Sequence, residues 1–340
     1  MSANHEDMRA ADRIVMRCSR EIQRYGINAI SRILLASPMI LVLAIVLVGF
    51  LLLADNFATY SNFLNIGRLF APLLIAAIGL SFVFLIGGID LSVGSTISLS
   101  SVFCAMVMAH SGFIALGVAA GIGTGLCIGL INGIAISYAR FPAFVYTLAM
   151  LLTIRAVALL CTGGYSVGGL PIGVMSLGRQ TFLGVPSLLG IALVVFAAAQ
   201  FALSFTSFGR QLYLVGTSER AATFNGLPVK RVRCMAYVTC GGLAGLAGVI
   251  VVLRLGSGGP VVGDNLLLMA CAAVVLGGTS ILGGDGSVAK TLVGAALIIF
   301  LDKGLDMLGF SFYDQAIVMG AIVIVGSAFS TWLHGRLSRV

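Results

Sequence analysis

Long apolar runs recur along this 340-residue chain, and only short polar links separate them. About 20 apolar residues in a helix cross the roughly 30 Å hydrocarbon core of a bilayer. The runs contain few charged side chains, so each is predicted to span a membrane as a helix. The pattern predicts an all-α integral membrane protein whose Gly-rich junctions are broken or re-entrant. The predicted spans, about ten in number, are 36–54, 68–86, 94–110, 113–137, 143–162, 184–206, 234–253, 266–283, 289–308 and 313–333.

Composition excludes an ordinary soluble globule. Hydrophobic residues make up 59% of the chain and charged residues only 9%, whereas soluble domains carry about 25% charged residues. The 44 glycines lie among Leu, Ile, Val and Ala, as expected where small residues let membrane helices approach closely. None of the seven cysteines forms a C-x-x-C pair, and the three histidines are scattered. We therefore predict no disulfide framework, metal site, cofactor or catalytic centre.

Basic residues indicate which ends of the spans face the cytoplasm, because cytoplasmic loops are enriched in Lys and Arg. With ten spans, the loops at 138–142, 207–233 and 284–288 share one side with both termini, and this side holds most of the basic residues. The net charge of +8 is thus explained by topology without nucleic-acid binding. We predict a cytoplasmic basic segment at 1–35, a polytopic transmembrane domain at 36–334 and a cytoplasmic tail at 335–340.

Two Gly-rich junctions carry polar residues between predicted spans. The first runs from Gly87 to Ser95, where Asp90 or Ser92 is expected to cap the next helix. It is either a capped turn at the membrane surface or a broken element that lines or gates a translocation path. The second runs from Gly277 to Ser287. It overlaps a near match to a phosphate-binding loop, but Ala289 replaces the required second glycine. Any ATP is therefore expected to bind another chain.

The longest polar stretch between spans is 208–233. Ser218 is expected to cap a short helix that contains Glu219 and Ala222, and Gly226 with Pro228 is expected to end it. A short helix bounded by glycines can insert into a groove of a partner protein. The alternative is an ordinary connecting loop.

Five ordered motifs between about residues 65 and 330 resemble the membrane permeases of bacterial carbohydrate-import ABC systems, the ribose/xylose/galactose branch. That family's G-G-I-D-L-S-V-G-S signature is matched at every position by Gly87 to Ser95. The other motifs are N-G with F-x-x-T-L, T-G-G, the cytoplasmic G-R-x5-G-x4-A-A-x3-G and a late V-x-G-G-T-S-x-x-G-G-x-G-S. They are matched by Asn132-Gly133 with 144–148, Thr162 to Gly164, 209–226 and Val275 to Ser287.

The resemblance implies a homo- or heterodimer of permease subunits on two cytoplasmic ABC ATPases, supplied by a periplasmic sugar-binding protein. It also implies that the short capped helix couples the permease to the ATPase. Three positions depart from the family. Leu267 and Met269 stand where acidic residues are usual, and Lys303 replaces the asparagine of an N-G pair. These departures leave the sugar and the homo- or heterodimeric state open.

We therefore predict a multi-pass permease subunit of the bacterial inner membrane that imports a monosaccharide, a ribose-like pentose or a related polyol, with ATP hydrolysed by a partner. One alternative is an ion-driven secondary transporter, for which Asp90 and Asp302 are the candidate ion sites; a membrane enzyme would need a nucleophile or metal cluster that the sequence does not suggest. The predicted ATPase-coupling residues are Gly216, Ser218, Glu219, Arg220, Ala221, Ala222 and Gly226. The predicted path or gate residues are Gly87, Gly88, Asp90, Ser92, Asn132, Gly277, Gly278, Thr279 and Ser280.

Overall fold

The computed structural model describes residues 38–322 and 324. The described chain is mostly helical, with one two-stranded hairpin. The predicted segments 1–35 and 335–340 lie outside the described residues. The helices are α1 (Pro38–Leu53), α2 (Tyr60–Leu85), α3 (Val93–Ser111), α4 (Ile114–Ser137), α5 (Ala143–Thr162), α6 (Gly173–Arg179), α7 (Ser187–Phe205), α8 (Ser207–Thr217), α9 (Glu219–Phe224), α10 (Val229–Leu255), α11 (Asp264–Leu276) and α12 (Val288–Met307), followed by helical residues 312–322.

Six of these helices, α2 to α5, α7 and α10, are long and apolar enough to cross a membrane. Two more, α1 and α11, are apolar but have only 16 and 13 residues. The 20-residue α12 is long enough, but it carries Lys290, Asp302, Lys303 and Asp306. A helix is therefore present at each predicted span within the described chain, and ten spanning helices stay a prediction.

The interior of the bundle is built around α2, which is buried on nearly every side. It packs against α10, α11, α12 and α7, and a helix that is apolar all round is suited to such a position. One polar contact crosses this core, where the hydroxyls of Ser81 and Thr291 lie 2.8 Å apart. In contrast, α5 and α7 bury only a few of their side chains, as expected for helices that face lipid.

Closely spaced glycines join α4 to α10, the helix pair with the most extensive packing. A Cβ atom added to Gly125 would overlap the Gly241 carbonyl oxygen and lie 2.6 Å from the Gly245 Cα. A Cβ atom added to Gly129 would lie 2.5 Å from the Tyr237 carbonyl oxygen. The two backbones thus touch directly, and no side chain fits between them at these positions.

The chain segments at the two ends of the bundle differ in charge. We call the end formed by residues 86–92, 137–143, 206–233 and 277–287 the basic end, because it holds Arg140, Arg210, Arg220, Lys230, Arg231 and Arg233. The opposite end contains α6 and the hairpin of β1 (Thr181–Phe182) and β2 (Val185–Pro186). There, the Arg68 Nη2 donates a hydrogen bond to the Arg179 carbonyl oxygen at 2.9 Å.

Candidate functional site

Three segments singled out in the sequence meet at the basic end. The Gly284 backbone N–H donates a hydrogen bond to the Leu85 carbonyl oxygen at 3.0 Å. Gly216, near the end of α8, lies against both groups, and a Cβ atom there would overlap the Leu85 oxygen and lie 2.6 Å from the Gly284 nitrogen. We call Leu85, Gly87, Gly216, Gly283 and Gly284 the glycine node. It joins both Gly-rich junctions to the segment that leads into the short helix α9.

Backbone conformation adds a second reason for glycine in this node. Gly87 has φ +67° and Gly283 has φ +91°, values that residues with a Cβ rarely adopt. A Cβ atom on Gly87 would also lie 2.9 Å from the Leu282 carbonyl oxygen, and one on Gly283 would lie 2.7 Å from the Gly87 nitrogen. The two junctions therefore approach each other backbone to backbone.

Tyr213 ties α8 to the second junction with its side chain. Its hydroxyl donates a hydrogen bond to the Gly286 carbonyl oxygen at 2.8 Å. Burial raises the pKa of Tyr213 above its usual value, and the nearby Asp285 carboxylate raises this pKa further. The hydroxyl therefore keeps its proton at neutral pH and remains a donor.

Replacing Tyr213 with phenylalanine is expected to lower solute uptake about fivefold, since one hydrogen bond contributes about 1 kcal/mol and 1.4 kcal/mol corresponds to tenfold. Tyr146→Phe is the matched control: this ring keeps its packing on Phe141, and its hydroxyl makes no hydrogen bond within the described residues. The two variants are compared by their solute uptake per folded molecule. Equal uptake by the two variants would contradict a role for the Tyr213 bond.

The short helix α9 has the predicted capped geometry. The Ser218 side chain accepts a hydrogen bond from the Ala221 backbone N–H at 3.2 Å, and the helix ends at Phe224 before Gly226, which has φ +74°. Ala222 is buried. The predictions of a cap at Ser218 and of a helix stop before Gly226 are confirmed, and the role of this helix in coupling stays a prediction.

One face of α9 is held to α10, and another is free for contact with a partner. Glu219 pairs with Arg233 at 2.6 Å, which fixes α9 against the first turns of α10. Arg220 and Ala221 are exposed. The helix is thus linked to the bundle by this ion pair while part of its surface is open.

Asp90, Ser92 and Asn132 form one buried cluster. The Asp90 Oδ1 accepts from the Ser92 backbone N–H at 2.9 Å and from the Ser92 hydroxyl at 2.6 Å. The Asn132 Nδ2 donates to the Ser92 hydroxyl at 2.8 Å. The expected helix cap is wrong in its details: Ser92 occupies the position before α3, but its side chain makes no cap bond. Its hydroxyl instead donates to the Asp90 carboxylate. This bond closes the turn from residue 90 to residue 92 and does not cap α3.

The segment around this cluster turns back into the bundle. Ile89 offers its carbonyl oxygen to the Tyr237 hydroxyl at 3.3 Å and to the Thr147 hydroxyl at 3.4 Å. Gly88 is required beneath Tyr237, because a Cβ atom there would lie 2.7 Å from the Tyr237 hydroxyl. The first junction is therefore held against α4, α5 and α10 by side chains of all three helices.

Replacing Asn132 with alanine is expected to destabilise the purified protein by about 1–2 kcal/mol, because the buried Ser92 and Asp90 oxygens lose a donor. Thr153→Ala is the control, since Thr153 is exposed and its hydroxyl bonds only its own helix, at the Ala149 carbonyl. A thermal melt in detergent compares the two. If both variants melted at the wild-type temperature, the cluster would not hold the first junction.

The second junction is a compact loop. Gly277 packs against α12, where an added Cβ atom would lie 2.5 Å from the Lys290 carbonyl oxygen, and Gly278 has φ +89°. The Ser280 backbone N–H donates to the Asp285 carbonyl oxygen at 2.9 Å, and the Ser280 hydroxyl accepts from the Leu282 N–H at 3.2 Å. Thr279 is buried, and its hydroxyl has no hydrogen-bond partner within the described residues.

The predicted path residues thus fall into two groups. Asp90, Ser92 and Asn132 lie in the buried cluster, whereas Thr279 and Ser280 belong to the other junction, which reaches the first through Gly87. The sequence interpretation missed Leu85 and Tyr237. Leu85 acts through its backbone carbonyl, which leaves no signature in the side-chain sequence, and Tyr237 lies in an apolar span whose facing helices were unknown.

The three departures from the family pattern lie in α11 and α12. Leu267 and Met269 are buried in α11, and the Leu267 Cβ lies 2.9 Å from the site of a Cβ on Gly94. Lys303 pairs with Asp306 on α12. Within the described residues, no group of three or more His, Cys, Asp or Glu side chains is placed to hold a metal ion.

Comparison with known proteins gives the same class of protein. The family described as branched-chain amino acid transport system / permease component matches residues 62–326. The chain is 39% identical to the ribose import permease protein RbsC of Escherichia coli K12 over 279 residues, 80% of this chain and 86% of that protein. It is 37% identical to RbsC of Bacillus subtilis over 276 residues, 81% of this chain and 86% of that protein.

A third relative is named for the import of a different solute. The chain is 33% identical to the autoinducer 2 import system permease protein LsrD of Yersinia pseudotuberculosis over 295 residues, 82% of this chain and 86% of that protein. No solved structure matches the chain. The family match covers most of the chain, and the apolar helices are those of a multi-pass membrane protein. The chain therefore belongs to the transport-system permease family that includes the ribose import permeases.

Proposed function

We propose that this chain is the membrane-spanning subunit of an ATP-binding cassette importer in a bacterial inner membrane and that it translocates a monosaccharide. The proposal is supported by the family membership and by the ribose import permeases among its relatives. The observation that carries the mechanism is the glycine node. It offers a rigid connection between a partner-facing helix and two junctions of the membrane bundle.

The basic end is the cytoplasmic side in this proposal, because cytoplasmic loops are enriched in Lys and Arg. Ten spanning helices, an even number that places both termini in the cytoplasm, agree with the same rule. The domain at 36–334 is the permease domain, and 1–35 and 335–340 are its cytoplasmic flanks. On this orientation α9 faces the cytoplasm, where an ATPase subunit binds it.

The coupling residues act in two ways. Ser218, Ala222 and Gly226 shape and fix α9, whereas exposed Arg220 and Ala221 contact the ATPase. Closure of two ATPases on ATP pushes α9, and the push passes through Gly216 to both junctions. The Glu219–Arg233 ion pair carries the same movement into α10. The permease then alternates between inward-facing and outward-facing states, with ATP hydrolysed by the partner and not by this chain.

The junctions gate the path for the solute. Asp90, Ser92 and Asn132 hold the first junction, and Gly277, Gly278, Thr279 and Ser280 form the second. A neutral sugar needs no buried countercharge along its path, and hydroxyl and amide groups suit its hydrogen-bonding surface. We propose a pentose such as ribose or a related polyol as the solute, supplied by a periplasmic binding protein to a pore formed with a second permease subunit.

Uptake of radiolabelled ribose by cells that express the complete transporter tests this proposal. We expect uptake to stop on ATP depletion and to persist with a protonophore, and unlabelled pentoses are expected to compete. Uptake that followed the proton gradient instead would contradict the proposal and would point to ion-driven transport through Asp90 or Asp302. ATP-driven uptake of a different solute would overturn the sugar assignment alone.

A further inference from the structure

A cavity of about 1020 Å³ lies at the basic end beside the glycine node, with which it shares Gly87. It is formed by the turn between α4 and α5, by α9 and by the first turns of α10. We call it the basic cavity. Four cations line it, Arg140, Lys230, Arg231 and Arg233, against one acid, Glu219. Glu219 pairs with Arg233, and the other three cations form no ion pair within the described residues.

The position of these cations conflicts with the local electrostatics of α10. Lys230, Arg231 and Arg233 lie in its first turns, where the helix dipole favours negative charge and disfavours positive charge. The residue before the helix, Pro228, makes no side-chain cap bond. An anion in the cavity would therefore be stabilised both by the three cations and by the dipole of α10.

Two further observations mark the cavity as a binding site. Arg140 adopts φ +61°, a conformation that is strained for an arginine and that tends to persist at functional positions. Ser137 also lines the cavity and is only 3% exposed, and its hydroxyl has no hydrogen-bond partner within the described residues. A bound group with acceptor oxygens would satisfy both the guanidinium and the hydroxyl.

The remaining walls indicate what kind of anion enters. Ile86, Ile136, Leu227 and Val229 contribute apolar surface, which a free inorganic ion does not need. The wall formed by Phe141 and Ala143 leads directly into α5, whose apolar side chains are largely exposed. Phe141 and Tyr138 are half exposed, as expected of aromatic residues at a membrane interface.

From these observations we infer that the basic cavity binds the phosphodiester headgroup of an anionic phospholipid. Its phosphate oxygens accept from Arg140, Arg231 and the α10 N-terminus, and its glycerol and upper acyl chains lie on the apolar wall beside α5. The bound lipid fills the space between the α4–α5 turn and α10, next to the Glu219–Arg233 pair that holds α9. This inference does not depend on which solute is transported.

The test measures phosphatidylglycerol retained by the full-length permease, alone and in the assembled transporter, by native mass spectrometry from mixed phosphatidylcholine and phosphatidylglycerol nanodiscs. The test variant combines Arg140→Asn with Arg231→Gln, because asparagine tolerates the left-handed turn. We expect about thirtyfold weaker phosphatidylglycerol binding, because each of the two interfacial cations contributes about fivefold.

The matched control combines Arg179→Gln with Arg210→Gln, which removes two exposed cations that lie outside the cavity. This control is expected to retain the lipid as the wild type does, and monodisperse gel filtration verifies the fold of each variant. Equal retention by both double variants would overturn the inference. Displacement of the lipid by inorganic phosphate would assign the cavity to free phosphate, and its loss on ATPase assembly would assign it to the partner; either result overturns the lipid assignment.

Discussion

Replacing Gly216 with alanine is expected to lower solute uptake about tenfold or more without releasing the ATPase. The added Cβ would overlap the Leu85 carbonyl oxygen and lie 2.6 Å from the Gly284 nitrogen, and both atoms belong to backbone. Backbone cannot rotate away as a side chain can, so the two junctions must separate from α8. Overpacking of this kind costs about 1–3 kcal/mol, and 1.4 kcal/mol corresponds to tenfold.

Two measurements distinguish this loss of coupling from misfolding. Gly190→Ala on α7 is the control, because no atom lies within 4 Å of the added Cβ, and it is expected to transport normally. ATPase binding and ATP hydrolysis by the assembled Gly216→Ala transporter should persist, since the exposed surface of α9 is unchanged. Wild-type uptake by the alanine variant would show that the glycine node does not transmit the movement.

Replacing Gly125 with valine is expected to destabilise the protein strongly and to lower its yield. The Cβ alone would overlap the Gly241 carbonyl oxygen, and the Gly245 Cα and nitrogen lie 2.6 and 2.7 Å away. Accommodating valine requires α4 and α10 to move apart along their whole contact, with a cost of about 3 kcal/mol or more. Folded proteins have only about 5–15 kcal/mol of stability, so the yield of monodisperse protein should fall sharply.

Gly123 provides the control on the same helix. An added Cβ there meets no atom within 4 Å, so Gly123→Val introduces the same side chain without the overlap. Fluorescence-detected gel filtration compares the two variants after extraction in mild detergent. A normal elution profile for Gly125→Val would contradict the close backbone contact between α4 and α10.

The helices were predictable from sequence because their apolar runs are long and nearly free of charge. The residues at which the helices begin and end were less predictable. Helix α2 begins at Tyr60, not at 68, because Thr59 caps a polar first turn by accepting from the Asn62 N–H at 3.3 Å. Helix α10 begins at Val229, five residues before the predicted apolar span, through a basic turn. Helix α11 ends at Leu276, because Gly278 adopts φ +89°.

The candidate site was predictable in its parts and not in its arrangement. Short-range signals identified the Ser218 cap and both Gly-rich junctions. The meeting of Leu85, Gly216 and Gly284 depends on backbone atoms far apart in sequence, and no local pattern encodes it. The bonding of Ser92 was misjudged for a related reason, since the Asn132 amide that fixes its hydroxyl comes from another helix.

Co-purification tests most directly the claim that α9 couples this permease to an ATPase. The tagged full chain is purified in mild detergent from membranes that contain its transport partners, and bound subunits and ATP hydrolysis are measured. We predict a stoichiometric ATPase with the wild type and none after the residues 219–222 are scrambled, while both permeases elute as folded protein. A folded wild-type chain that recovers no ATPase, or a scrambled chain that still binds it, would contradict this account.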